Sequence, residues 1–178
     1  MERLFIALNL PKEVKEKIGE TFYKKLPEQQ MKIVSPEKVH ITLCFLGETP
    51  EGELENIEQK LIDVSQKTKS FEVQLKGIGE FNQRVLWLGI VQGKKETGLL
   101  AQEIAQKLNK PREKFTGHLT IGRNKNLGAK KFKLLVETLK KIPFEIKFKV
   151  TSFELMKSNL EETGSAYLEL KKFELKQI

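Results

Sequence analysis

The order of apolar and polar positions along the chain predicts many short strands separated by a few helices. An apolar run at residues 4–8 is typical of a buried strand, and strict alternation over 71–75 is typical of a half-buried one. Gly47 is expected to end one apolar run, and Gly77 and Gly79 to end the alternating one. In all, strands are predicted at residues 4–8, 33–34, 39–46, 71–75, 85–91, 118–122, 144–150, 153–158 and 167–175.

Four segments have their apolar residues at helical spacing. The first places Val14, Ile18 and Phe22 on one face, and Pro27 is expected to stop it. Small polar residues stand where a helix cap is needed ahead of the first two segments. The predicted helices run from Asn9 as cap to about residue 26, from Thr49 as cap through residue 62, over 97–108 and over about 129–140.

This mixture of strands and helices predicts an α+β fold in a single domain. The chain has 178 residues and eleven Phe, enough for a real core or for two closely packed lobes. Each half offers a strand that begins with a histidine, then a helix, then further strands. Such a rough repeat predicts a pseudo-twofold domain over residues 1–178, with the two histidine strands central and the helices outside.

The two histidines of the chain stand in matching stretches, His40-Ile41-Thr42-Leu43 and His118-Leu119-Thr120-Ile121. On a strand, residues i and i+2 face the same side. Each histidine would therefore share a face with its threonine, while the apolar residues face the core. If the two strands lie side by side, two imidazoles and two hydroxyls line one groove.

That set of side chains suits an in-line attack on a phosphodiester. Two imidazoles can act as general base and general acid, and two hydroxyls can donate hydrogen bonds to an anion. A lone histidine on a strand is more often structural, so the matched pair is what favours catalysis. No metal is expected, because a catalytic zinc site needs about three protein ligands. Asp63, the only aspartate, falls on a helix assigned to the outside.

The net charge of +8 and the pI of about 9.4 favour a polyanionic partner such as RNA. A merely soluble basic protein would show the same charge.

The single cysteine, Cys44, forms no internal disulfide and is expected to be buried in its apolar strand. The first residues lack the pattern of a signal peptide, and no apolar run approaches ~18 residues. We therefore expect a cytoplasmic protein without membrane contact.

The chain resembles the two-histidine (2H) phosphoesterase superfamily, and most closely its LigT-like branch, the RNA 2',3'-cyclic phosphodiesterases. The segments RLFIALNLP, HITLCFLG and GHLTIGR carry the resemblance, which covers nearly the whole chain. It implies a bilobal fold whose antiparallel sheets line a central groove, with helices outside. It implies hydrolysis of 2',3'-cyclic phosphate ends of RNA to 2'-phosphates without a cofactor, and a weak 2'-5' RNA ligase activity.

The resemblance also assigns roles to residues. His40 and His118 inherit the roles of acid and base, Thr42 and Thr120 bind the phosphate, and Arg123 assists anion binding. We assign His40 as proton donor and His118 as proton acceptor, although the near-symmetric motifs leave the reverse order open. One departure concerns the loop ahead of the second motif, where Gly117 stands at a position that is Pro in many members.

Other contacts with the substrate are harder to predict. Arg112 and Phe115 precede the second motif and could hold a phosphate or stack on a base, and Tyr167 could reach the groove from the last strands. Ordinary packing or solvation would explain all three equally well. Phe45 lies at an odd offset from His40, so we expect it in the core.

Three other functions remain open from the sequence. The same fold could bind RNA or a nucleotide without turnover, although binding alone does not need a matched acid–base pair. The substrate could also be a small cyclic nucleotide or an ADP-ribose cyclic phosphate. A structural basic domain with two incidental histidines is the third. The predicted partner is RNA with a 2',3'-cyclic phosphate end, bound by a monomer.

Overall fold

A computed structural model describes residues 1–111, 115–161 and 164–177 of the chain. Most of the strands within these ranges are longer than the sequence pattern predicts, above all the strand that begins at Phe71. They are β1 (Glu2–Asn9), β2 (Met31–Ile33), β3 (His40–Thr49), β4 (Phe71–Phe81), β5 (Val85–Gln92), β6 (His118–Asn124), β7 (Glu145–Val150), β8 (Ser152–Glu161) and β9 (Gly164–Glu174).

Four α-helices accompany these strands, and each carries an apolar face that packs on the core. In α1, the predicted stripe of Val14, Ile18 and Phe22 is buried. A short 3-10 turn, Pro36–Lys38, comes directly before the first histidine strand. The helices are α1 (Lys12–Phe22), α2 (Leu54–Lys67), α3 (Lys94–Lys107) and α4 (Ala129–Lys140).

The strands form two antiparallel sheets. One has four strands in the order β3-β1-β8-β9, and the other has five in the order β2-β6-β5-β4-β7. The two histidine strands, β3 and β6, are in contact but belong to different sheets. They therefore face each other across the meeting point of the sheets instead of pairing as neighbours.

A single large core cluster contains buried residues from both sheets and from all four helices. Ile6 and Ile41 enter it from the first sheet, Leu88 and Ile121 from the second, and Phe132 from α4. Each of these five side chains is at most 1 % exposed. The α+β fold predicted from the sequence is thus confirmed.

Two predicted strand ends are wrong, because glycines form bulges inside strands. Gly47 has a φ of 73° and Gly77 a φ of 82°, which L-residues with side chains rarely adopt. The pairing register slips at both places, yet β3 continues to Thr49 and β4 to Phe81. A bulge adds one residue and bends the strand without ending it.

Three predicted helix starts are also wrong. Asn9 is the last residue of β1, and α1 begins at Lys12 after Pro11. Thr49 is the last residue of β3, and its hydroxyl donates to the carbonyl of Gly47. The third helix, α3, begins three residues early because Gly93, with a φ of 75°, turns the chain directly into it. The α-helical part of the first helix stops at Phe22, and a 3-10 turn, Tyr23–Lys25, continues it to within one residue of the predicted end.

Some predictions fall on parts of the chain that the structure does not describe. The turn predicted at residues 161–164 includes Glu162 and Thr163, and the substrate contact predicted for Arg112 precedes the second motif. All three residues lie outside the described ranges. Within the described part of the chain, no helix has the length and apolar character needed to cross a membrane.

Candidate active site

The two histidine motifs have the alternation predicted for them. On β3, Ile41 is fully buried and Leu43 is 6 % exposed, while His40 and Thr42 are partly exposed on the other face. On β6, Leu119 and Ile121 are fully buried, and the histidine and threonine again face outward. Burial of the apolar residues thus fixes the direction in which both catalytic candidates point.

Each imidazole is anchored by a backbone carbonyl two residues earlier in the chain. The Nδ1 atom of His40 is 2.8 Å from the carbonyl oxygen of Lys38, and Nδ1 of His118 is 2.6 Å from that of Thr116. Because a carbonyl can only accept, Nδ1 must be the donor in both hydrogen bonds. Each imidazole, when neutral, then keeps its lone pair on Nε2, the atom that can take up a proton or, in the charged imidazolium, give one.

Aromatic rings enclose both imidazoles in a similar way. The ring centroid of His40 is 5.1 Å from those of Phe5 and Tyr167, with the tyrosine edge-on. The ring centroid of His118 is 4.9 Å from that of Phe81, also edge-on, and 6.2 Å from that of Trp87. These contacts restrict ring rotation and add to the positioning by the carbonyls.

A glycine makes room for one of these aromatic rings. Gly79 on β4 pairs directly with Trp87 on β5. A Cβ at Gly79 would lie 2.2 Å from two atoms of the indole ring, far inside van der Waals contact. The indole therefore lies against bare backbone, and its position beside His118 depends on that glycine.

Replacing Gly79 by alanine is expected to displace the indole and to lower kcat/KM by weakening the packing around His118. Overpacking of this kind typically costs about 1–3 kcal/mol of stability. Trp87 is the only tryptophan, so a changed emission spectrum would report its movement directly. The control is Gly52→Ala, because a Cβ at Gly52 meets nothing within 4 Å. An unchanged spectrum and unchanged kinetics in Gly79→Ala would contradict this role.

The pKa of His40 is lowered from its ordinary value. Burial is the largest cause, because it disfavours the charged imidazolium. The positive charges of Lys15 and Arg123, and the second imidazole of His118, lower the pKa further, while the Lys38 carbonyl opposes the shift. The neutral imidazole of His40 is therefore favoured more strongly than in a free histidine.

A cavity of about 680 Å³ opens beside the two motifs, between β3, β6 and α3. The predicted phosphate-binding residues Thr42, Thr120 and Arg123 all line it, together with His118. His40 is not part of this lining, although it shares a strand face with Thr42. The remaining lining residues are Leu43, Cys44, Phe45, Phe81, Val85, Gly98, Ala101, Gln102, Ala105, Lys110, Pro111, Phe115 and Thr116.

Of the predicted substrate contacts, Phe115 is part of the cavity lining and Tyr167 is not. Phe115 lines the cavity, and it also packs against the main core. Tyr167 contacts His40 and Phe5, at centroid distances of 5.1 and 5.3 Å, but is not part of the cavity lining. Close packing explains the glycine at position 117, because a Cβ there would lie 3.2 Å from Phe115 and 2.8 Å from Ile90.

The prediction that Phe45 lies in the core is wrong. Its side chain is 71 % exposed and lines the cavity. The register between β1 and β3 slips between Ile6 and Ala7 and again between Leu4 and Phe5. The strict alternation after His40 therefore fails near Phe45. Cys44, predicted to be buried, is only partly so: it packs against the core and also borders the cavity.

Sequence reasoning missed the aromatic residues around the histidines. Phe5 lies on β1, Phe81 at the end of β4 and Trp87 on β5, so strand pairing brings them to the motifs from distant parts of the sequence.

In the described part of the chain, no three His, Cys, Asp or Glu side chains gather as candidate metal ligands.

This fold is that of the two-histidine phosphoesterases. Within that class, the chain belongs to the 2'-5' RNA ligase superfamily, whose sequence model matches residues 15–162. A relative from Archaeoglobus fulgidus, named RNA 2',3'-cyclic phosphodiesterase, is 33 % identical over 97 % of this chain and 99 % of its own. A relative of the same name from Methanocaldococcus jannaschii is 32 % identical over 96 % of this chain and 99 % of its own.

Solved structures show the same likeness. The crystal structure of E. coli LigT complexed with phosphate matches 99 % of this chain and 98 % of its own, with a TM-score of 0.80 and 26 % identity.

Proposed function

We propose that the protein hydrolyses 2',3'-cyclic phosphate ends of RNA to 2'-phosphomonoesters by two-histidine acid–base catalysis without a metal. The observation that carries the proposal is the matched pair of histidines, each with Nδ1 bound to a carbonyl and each sharing a strand face with a threonine. The names of the relatives and the basic net charge of +8 support the choice of RNA as substrate.

In the proposed reaction, Nε2 of the neutral His118 takes a proton from the attacking water, and Nε2 of His40, which starts as the imidazolium, gives a proton to the leaving 3'-oxygen. The new bond joins the water oxygen to phosphorus, the bond from phosphorus to the 3'-oxygen breaks, and the phosphate stays on the 2'-oxygen. The hydroxyls of Thr42 and Thr120 and the guanidinium of Arg123 stabilise the charge on the phosphoryl oxygens.

The same site accounts for a weak 2'-5' RNA ligase activity as the related transesterification. A 5'-hydroxyl then replaces the water as nucleophile, and the 3'-oxygen leaves as before. The product is a 2'-5' phosphodiester. The protons move between the same atoms, so reversal of the reaction exchanges the roles of His40 and His118.

The rest of the cavity is proposed to hold the terminal nucleoside. A phosphate alone does not fill about 680 Å³, and the walls beyond the threonines include Phe45 and Phe115. Phe45 is the more suitable stacking surface because it is 71 % exposed, whereas Phe115 packs partly on the core. Tyr167 is proposed to act mainly by packing on His40, and Arg112 remains a proposed phosphate contact.

Replacing Phe45 by alanine is expected to raise KM for the RNA end about 10-fold with a smaller change in kcat, since stacking of a base is worth ~1–3 kcal/mol. Phe45→Trp should keep the KM near that of the wild type. The matched control is Leu134→Ala, another exposed apolar residue at 68 % exposure, on α4. A KM in Phe45→Ala equal to that of the control would remove Phe45 from the substrate site.

Turnover of competing substrates tests the proposed function. The kcat/KM for an RNA oligonucleotide with a 2',3'-cyclic phosphate end is compared with that for a 2',3'-cyclic mononucleotide at low and high salt. We expect the RNA to be preferred and its advantage to shrink with salt, because phosphate contacts weaken steeply as ionic strength rises. Binding without turnover would support an RNA-binding module, and a preferred mononucleotide would support a phosphodiesterase of small cyclic nucleotides.

We also propose that residues 1–178 form one catalytic domain of two intertwined lobes. The core cluster shared by both sheets supports this view. A monomer is the proposed working unit, since one chain supplies both histidines, and the cytoplasm is its proposed location.

A further inference from the structure

Lys15 connects helix α1 to the turn that orients His40. Its side chain is partly buried, and its Nζ donates to the carbonyl of Glu37 at 2.9 Å. Glu37 belongs to the 3-10 turn Pro36–Lys38. The next carbonyl of that turn, on Lys38, accepts the hydrogen bond from Nδ1 of His40 at 2.8 Å. The ammonium of Lys15 and the imidazole of His40 are therefore bound to neighbouring carbonyls of the same turn.

The same helix face also contacts Val34 and Pro36, close to the Glu37 carbonyl in the sequence. Gly19 lies so close to Pro36 that a Cβ there would be 3.1 Å from Cγ of the proline. The hydroxyl of Tyr23, one residue beyond the helix, donates to the carbonyl of Val34. Residues 15, 19 and 23 follow one another at the four-residue spacing of one helix face. Three successive contacts thus tie residues 34–37 to α1.

We propose that Lys15 is a positioning residue for His40, which holds the turn that orients the imidazole and keeps a positive charge near it. This inference rests on the proposed function in giving His40 an acid–base role. Lys15 touches neither imidazole directly and is therefore expected to act through the turn and through its charge. Among the three contacts from α1, it alone brings a charge to the turn.

Several charged and titratable groups face His40 from different elements. Lys15 acts from α1 and the Arg123 and His118 side chains act from β6, and all three lower the pKa of His40 beyond the larger effect of burial. Tyr167 on β9 packs edge-on against the imidazole. Removing the positive charge of Lys15 removes one of the lowering influences, so the pKa of His40 should rise.

Two carboxylates favour the charged form of Lys15. Burial lowers the pKa of Lys15, while the negative charges of Glu37 and Glu154 oppose that effect. Glu154 is 2 % exposed and accepts hydrogen bonds from the backbone N–H of Asn9 and the hydroxyl of Ser152. Asn9 pairs with His40 across β1 and β3. The ammonium therefore stands near groups that are fixed relative to the imidazole.

An NMR titration of the two imidazoles tests the proposal independently of activity. With only two histidines in the chain, the spectrum of His40→Ala assigns both sets of ring signals. In Lys15→Met the titration midpoint of His40 should move to higher pH, and in Lys15→Arg it should return towards that of the wild type. The control is Lys12→Met, which removes an exposed charge of the same helix that pairs with Glu16.

The kinetic consequence is measured on the same variants with the RNA end as substrate. Lys15→Met should lower kcat/KM on the order of tenfold, as for other residues that orient a functional histidine. The limb of the pH profile that belongs to His40 should move to higher pH, and Lys15→Arg should restore both values.

An unchanged His40 midpoint in Lys15→Met, or an equal shift in Lys12→Met, would overturn the role of Lys15. If the His40 midpoint shifts in Lys15→Met but the wild type shows no turnover of the RNA end, only the proposed function is overturned. The positioning of His40 by Lys15 would then stand.

Discussion

Replacing either histidine by alanine is expected to lower kcat for cyclic phosphate hydrolysis by about 10²–10⁴-fold, the usual worth of one acid–base partner. In the proposed mechanism, His40→Ala removes the proton donor for the leaving 3'-oxygen, and His118→Ala removes the acceptor for the proton of water. Both side chains are only partly buried, so the fold should survive the change. The rates are measured under single-turnover conditions, with the melting temperature as a check on folding.

The double variant distinguishes a catalytic pair from two separate effects. Groups that act as a unit are strongly non-additive, so His40→Ala/His118→Ala should lose little beyond the worse single variant. Near-wild-type kcat in either single variant would contradict the mechanism. A double variant whose loss equals the product of the two single losses would contradict the pairing.

Removal of the threonine hydroxyls is expected to have the next largest effect. Thr42→Val and Thr120→Val keep the shape of the side chain but delete a hydroxyl that we propose donates to the phosphoryl oxygens. Loss of one such donor typically costs about 10²–10³-fold in kcat. The loss should fall mainly on kcat, because the hydrogen bonds strengthen as charge develops in the transition state.

Thr138→Val is the matched control for the threonine variants. Thr138 lies on α4, and its hydroxyl donates to the carbonyl of Leu134 in the same helix. The control should leave kcat and KM unchanged. If Thr42→Val and Thr120→Val also left kcat unchanged, the hydroxyls would have no role in stabilising the phosphoryl oxygens.

The direction of the motif side chains could be predicted because it depends on local alternation alone. Ile41, Leu43, Leu119 and Ile121 are apolar and enter the core, which leaves the histidines and threonines on the opposite face. The period of two along a strand is enough to establish this. No knowledge of the partner strands is required.

The exposure of Phe45 could not be predicted by the same reasoning. Its direction depends on where the register of β3 slips against β1, and a slip of one residue moves a side chain to the other face. Gly47 is the one local signal of irregularity, and it is equally compatible with the end of a strand. The glycine-containing bulge in β4 misled the strand prediction for the same reason.

The surroundings of the histidines depend on pairing between distant segments. β1 lies between β3 and β8, the latter about 150 residues away in the sequence, and it brings Phe5 to His40. β4 and β5 bring Phe81 and Trp87 to His118. Hydrophobic periodicity predicts each strand but not its neighbours, so these contacts are visible only in the folded chain.

The decisive test of the proposed two-histidine mechanism is the product formed from a cyclic phosphate end. An RNA oligonucleotide that ends in a 2',3'-cyclic phosphate is incubated in EDTA with the wild type, His40→Ala or His118→Ala, and the phosphate is located by ³¹P NMR. The two-histidine mechanism predicts a 2'-phosphate from the wild type alone. A 3'-phosphate, a requirement for added metal, or undiminished product from either histidine variant would contradict it.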